Sequence, residues 1–151
     1  VVTPSDARVK PSCRHFKSCG GCGLQHASDD FVADWKVDVV RQALAAQGIV
    51  SDFRPIETSP THSRRRAAFS ARRTKKGAMA GFHMRASSVI AEISDCDVLH
   101  PDLMPALDIA RELAVLGASR KGELSVTATL SDGGLDIAVS GGKPLDGAFE
   151  A

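Results

Sequence analysis

Between Ser28 and Gly48 apolar residues recur at three- and four-residue steps. Val32, Trp35, Val39, Ala43 and Ala46 form the line, and Phe31, Val40 and Leu44 widen it. That period predicts an amphipathic helix with Trp35 in the core. Ser28 can cap it, Asp29 and Asp30 suit its positive end, and Gly48 suits its stop. Upstream, residues 1–12 are polar and read as an entering linker, and 13–26 have no period. Residues 49–61, with FRPIET, read as a strand or extended arm closing on a Ser-Pro turn. Imperfect alternation from Arg65 to Ile93 predicts antiparallel strands that turn at Lys76-Gly77, SVIAEI being the clearest. Pro101 suits the first turn of a second helix ended by Gly117, with Leu103, Leu107, Ala110 and Ala114 on one face. LSVTATL and LDIAVS then flank Ser131-Asp132-Gly133-Gly134, the pattern of a hairpin. The last residues, KPLDGAFEA, read as the start of another helix. The expected fold class is α+β: one domain with an antiparallel sheet, two main helices and a Cys-rich metal-binding loop.

Composition changes this picture little: 151 residues, 43% hydrophobic and 25% charged, are ordinary for one globular domain. No run approaches the roughly 18 apolar residues that span a bilayer. VVTPSDARVK lacks the pattern of a secretion signal, so a cytoplasmic protein without a membrane partner is expected. Charge changes it more. The net charge of +1 hides a run from Arg64 to Lys76 with Arg64, Arg65, Arg66, Arg72, Arg73, Lys75 and Lys76 and no acid. Such a run can bind phosphate, or it can be a solvated hairpin whose charges discourage edge pairing. On a strand Arg64 and Arg66 share one face and Arg65 takes the other, so they cannot all grip one phosphate. Phe69 and Phe82 fit a core better than a base-stacking platform, and Tyr is absent.

The candidate chemistry lies in the cysteines. Cys13 and Cys19 are separated by five residues, Cys19 and Cys22 by two, and Cys22 and Cys96 by 73. Gly20, Gly21 and Gly23 free the loop's backbone to turn its N–H groups toward sulfur. A distant fourth ligand would clip this loop to the sheet, where a cross-link removes most chain entropy. Four readings are open. A disulfide needs an oxidising compartment, which nothing indicates. Structural zinc usually has two CxxC knuckles, and only one is present. Isolated buried thiols are common. Three clustered cysteines with a remote fourth fit an iron–sulfur cluster best. His15 and His26 flank the loop and suit hydrogen-bonding or capping roles. Phe16 and Leu24 suit shielding, and His100 the start of the second helix.

The run Cys13-Arg14-His15-Phe16, Cys19-Gly20-Gly21-Cys22, Leu24-Gln25-His26 resembles the cluster motif of bacterial S-adenosylmethionine-dependent RNA uridine-5 methyltransferases. Arg64-Arg65-Arg66-Ala67-Ala68-Phe69, Gly81-Phe82 and Asp95-Cys96 with Leu99-His100-Pro101 resemble later segments of that family in the same order. The likeness runs nearly the whole chain. It implies a 4Fe–4S cluster on Cys13, Cys19, Cys22 and Cys96, and RNA contacts from the basic run. The cysteines imply the ribosomal type, acting on 23S ribosomal RNA, because the transfer-RNA enzyme of the family lacks them.

In that family an RNA-binding barrel precedes the cluster motif and a Rossmann-like methyltransferase domain follows. The resemblance therefore implies an entering linker at 1–12, a central domain at 13–145, and the start of a connection at 146–151. No glycine-rich nucleoside loop opens a helix here, and all four cysteines have a metal role. The S-adenosylmethionine site and the cysteine nucleophile are thus expected only in a full-length parent, with no catalytic residue in this chain. A monomer is expected. Rival readings are a zinc-stabilised nucleic-acid-binding module and a small iron–sulfur electron carrier.

Overall fold

A computed structural model describes residues 3–144. The elements are α1 (Asp29–Ala45), β1 (Arg66–Thr74), β2 (Gly77–His83), β3 (Ile90–Glu92), α2 (Ala106–Gly117), β4 (Leu124–Ser131) and β5 (Gly134–Ser140). The strands form one sheet in the order β3-β2-β1-β4-β5, antiparallel throughout. With α2 packed against it and α1 standing apart, this is the α+β class expected. The helix start expected in the final nine residues lies, from 145 onward, outside the described residues.

Alternation along β1 and β4 sends Ala67, Phe69 and Ala71, with Leu124, Val126 and Ala128, into the core. Successive side chains on a strand point to opposite faces, so Arg66, Ser70 and Arg72 share the other face of β1. The residues expected on one face of the second helix (Leu103, Leu107, Ala110 and Ala114) are all buried there. Small alanines bring α2 close to the sheet, and Phe69 fills the space with its ring 5.3 Å from that of Phe82.

Two boundaries differ from expectation. The second helix is two pieces, a 3-10 turn at Pro101–Leu103 and then α2, with Pro105 between them. A proline has no N–H to donate and clashes with a preceding turn, so the chain restarts there. His100 caps the 3-10 turn by accepting from the Asp102 N–H at 3.3 Å. β3 covers only three residues of SVIAEI. Of the two readings of residues 49–61, strand or arm, the second holds, since residues 49–60 form no strand.

The third difference is larger. Ser28 caps α1 as expected, and Gly48 follows its end at φ +69°. Yet no residue of the helix is buried, and Trp35, expected in the core, is 46% exposed. Amphipathic period announces an apolar face, and no other element of the described chain covers this one.

On the open face, Glu123 joins β1, β2 and β4. It accepts from the Arg72 guanidinium at 2.8 Å and lies 2.8 Å from His83 Nε2. Burial opposes its charge, but hydrogen bonds from Ser70, His83 and Arg72 and the charge of His83 outweigh it. Its carboxyl is held below the ordinary range. A carboxylate with a depressed folded pKa stabilises above its unfolded pKa, and that stabilisation fades as pH falls through the folded value. Glu123→Gln is therefore expected to cost about 1 kcal/mol at neutral pH, with the gap closing in acid. Urea melts from pH 7 downward measure this, and a gap that widens toward acid would contradict it.

Candidate metal centre

The four cysteines come from two stretches that the fold brings to one place. A turn closes first: the Cys19 N–H donates to the His15 carbonyl at 2.7 Å, and the Phe16 N–H to that of Cys13 at 3.2 Å. The loop then docks on the end of β2 through the Gly20 N–H and the His83 carbonyl at 2.9 Å. A Cβ at Gly20 would lie 2.6 Å from that carbonyl oxygen, so only glycine permits the approach.

Cys96 arrives from the other side. Beyond β3, residues 97–100 run beside residues 62–64. The His62 N–H donates to Asp97, the Arg64 N–H to Val98, and the His100 N–H back to Arg64, at 2.8, 3.0 and 2.9 Å. Leu99, 1% exposed, anchors this segment in the core. Loop and segment are tied directly as well. Arg14 pairs with Asp95, and His15 Nε2 accepts from the Ser94 N–H at 3.3 Å.

The result is one cavity of about 50 Å³, lined by Cys13, Cys19, Cys22 and Cys96 together with Phe16, Phe82 and Arg64. All four thiols are free of disulfide bonds. Among the described residues, no three His, Cys, Asp or Glu side chains converge closely enough to hold a single metal ion. The sulfurs line a common space without meeting at one point.

Burial pushes the Cys13, Cys19 and Cys22 thiols above their ordinary pKa. The charge of Cys96 would raise all three further. Hydrogen bonds work the other way: the His15 backbone on Cys13, the Gly21 N–H on Cys19 and the Gln25 side chain on Cys22. The Gly21 N–H lies 3.4 Å from Cys19 Sγ. Four soft donors, three of which resist ionisation alone, in an apolar pocket with backbone N–H groups beside Cys13 and Cys19, suit a cationic core that would neutralise them as thiolates. The donor set fits an iron–sulfur cluster.

The basic run is not one surface. Arg64 borders the cysteine cavity, and its charge acts on Cys22. Arg65 donates to the Leu130 carbonyl at 3.2 Å and to Asp132 at 3.0 Å. Arg72 is held by Glu123. Arg66 is exposed at the start of β1, whereas Arg73, Lys75 and Lys76 are exposed at its far end. Eight strand steps separate the two ends, about 26 Å at about 3.3 Å per residue. Arg85 had no signal in the sequence. It donates to the Cys22 carbonyl at 3.0 Å and lies over the Phe16 ring at 5.9 Å. Phe16 lines the cavity as expected of a shield, while Leu24 is 36% exposed and does not.

No family model matches the chain. Curated relatives do. An RNA methyltransferase of Brucella suis is 42% identical over 141 residues, covering 93% of this chain and 34% of that protein. One of Mesorhizobium japonicum is 37% identical over 139 residues, 92% of this chain and 33% of its own length. A 23S rRNA (uracil(1939)-C(5))-methyltransferase of Dechloromonas aromatica is 35% identical over 135 residues, 83% of this chain and 31% of that protein. The chain thus spans about a third of the length of these relatives.

Proposed function

Over most of its length this chain is homologous to RNA methyltransferases, 23S ribosomal RNA uracil-C5 enzymes among them, and on that premise we propose that it is the 4Fe–4S-bearing RNA-recognition part of such an enzyme. Residues 13–145 form the central domain, residues 1–12 lead into it, and 146–151 begin the connection to a methyltransferase domain. The parent protein is a cytoplasmic monomer that transfers a methyl group from S-adenosylmethionine to C5 of a uridine in 23S ribosomal RNA. This chain supplies neither the methyl-donor site nor the nucleophile, because its four thiols hold the cluster.

One observation carries the reading: cysteines separated by 73 residues line a single cavity with no disulfide between them. It also favours a cluster over zinc. Tetrahedral zinc, with Zn–S near 2.3 Å, needs sulfurs about 3.8 Å apart, whereas among the described residues no group of three or more such side chains closes on one ion. A polynuclear core offers each thiolate its own iron. When bound, the cluster is a four-point cross-link between the loop and the segment after β3. His15, the Arg14–Asp95 pair and the Gly20 contact position the two sides for it.

Anaerobic purification with iron and sulfide analysis tests this. Four irons and four sulfides per chain with broad visible absorption are expected. A colourless protein with one zinc supports the zinc module instead, and reversible reduction without RNA affinity supports the electron carrier. RNA contact is expected at the Arg64–Arg66 end of β1, beside the cluster loop. Removing one phosphate contact by Arg64→Ala or Arg66→Ala should weaken binding and reduce the slope of log affinity against log salt by roughly 0.7. Arg72→Ala should change that slope less, since Glu123 already occupies its guanidinium. Unchanged affinity and slope in both of the first two variants would refute the assignment.

A further inference from the structure

The helix α1 and the arm behind it carry an apolar surface that the described chain leaves about half exposed, with Phe31 bordering a cavity it shares with Pro4, Ala7 and His26. Phe31, Trp35 and Val39, spaced by four residues, make one line along the helix, each between 46% and 48% exposed. Side chains four apart lie on one helix face. Val40 lies beside the line at 50% exposure, and past the turn at Gly48 Ile49 and Val50 are exposed as well, Val50 at 98%. Single exposed apolar residues are ordinary, but an ordered stripe with two aromatics marks a contact surface.

The way this segment is attached sharpens the point. It is fastened at its two ends: the Ser28 N–H donates to the Ala7 carbonyl, and the His62 N–H to that of Asp97. Between them the arm folds back on its own helix, with the Arg41 guanidinium 5.0 Å from the centre of the Phe53 ring. No strand runs beside α1. The excursion from residue 29 to 61 is therefore built as an outrigger of the cysteine loop.

Three occupants compete for the stripe. RNA is disfavoured, because α1 carries Asp29, Asp30, Asp34 and Asp38 against Lys36 and Arg41, a formal charge of −2 beside the stripe. A second copy would bring two such acidic helices together, which costs free energy. The remaining occupant is further protein of the same polypeptide, and the relatives are about three times as long as their match to this chain. We propose that the Phe31–Trp35–Val39 face, with Ile49 and Val50, is the seat on which another domain of the longer parent protein packs. The inference rests on the reading of this chain as part of such a parent. It makes the cysteine loop and the second domain neighbours through one rigid helix of about 25 Å.

Hydroxyl-radical footprinting of the intact parent protein, read by mass spectrometry, tests this. Trp35 and Phe31 are expected to label at least tenfold more slowly than in the urea-unfolded protein. Val139, 45% exposed on β5 and outside the face, stays reactive as an internal control. Val39→Glu in the parent should raise Trp35 labelling and leave Val139 unchanged. Full labelling of Trp35 in the folded parent overturns the proposal. Protection that appears only at concentrations where sedimentation shows a dimer assigns the face to a second copy and also overturns it, as does protection that needs added RNA. Iron content measured on the same sample separates the two failures: a parent without iron refutes the cluster reading and leaves the footprint interpretable.

Discussion

Cys96→Ser is expected to abolish the four-iron content and the visible absorption while the sheet remains intact. Three of the proposed ligands lie within the loop between Cys13 and Cys22, so they alone cannot tie that loop to the rest of the molecule. The fourth closes a chain loop of more than seventy residues. In the chain-entropy account a cross-link of that span is worth roughly 4 kcal/mol, a large part of the 5–15 kcal/mol that typically holds a domain folded. Serine preserves size and offers a poor ligand for iron, so the loss is chemical rather than steric. The loop should then depend on His15, the Arg14–Asp95 pair, the Gly20 contact and the Arg85 hydrogen bond to Cys22, and its amides should exchange faster. Iron analysis, the visible spectrum and denaturant melts of anaerobic samples give the answer. A variant that keeps four irons and its full absorption would show that Cys96 is not a ligand.

The second large effect is expected at Phe69, where the sheet, α2 and the cavity wall meet. Its side chain is 1% exposed, and its ring leans on Phe82, which itself lines the cysteine cavity. Phe69→Ala removes a buried ring and leaves a void that neighbouring alanines are too small to fill. The cost is about 3–5 kcal/mol, and a melting temperature lower by roughly 10–15 °C follows for a chain of this size. The urea midpoint should fall with little change in slope, because the surface exposed on unfolding is nearly the same. Because Phe82 would lose its support, the cluster should also become more labile to air in this variant. A midpoint unchanged from the parent's would contradict the placement of Phe69 at the centre of the core.

The difference between these two sites illustrates what could be read early. Cys96 was legible because its spacing and its Asp95-Cys96, Leu99-His100-Pro101 surroundings follow a pattern. Phe69 was expected in the core on general grounds, but nothing local indicated that it would back the wall of the cysteine cavity. That link depends on β1 pairing with β2 in a register that sets Ser70 opposite Gly81. Likewise Arg85 lies 63 residues from Cys22, and no local pattern foretells a hydrogen bond of that span.

Amino-acid order by itself determined the elements and their polarity: the cap at Ser28, the stop at Gly48, the Asp132-Gly133 hairpin turn, the buried face of α2 and the two cysteine groups. These follow from short-range rules, since period, capping and turn geometry act over a few residues. Tertiary structure decided what meets what. It split the basic run into an end beside the cluster loop and an end about 26 Å away, with Arg65 and Arg72 bound to acids between. It also left the Trp35 stripe facing outward, because a helical period specifies that one face is apolar while the partner that covers it is set by contacts from far along the chain.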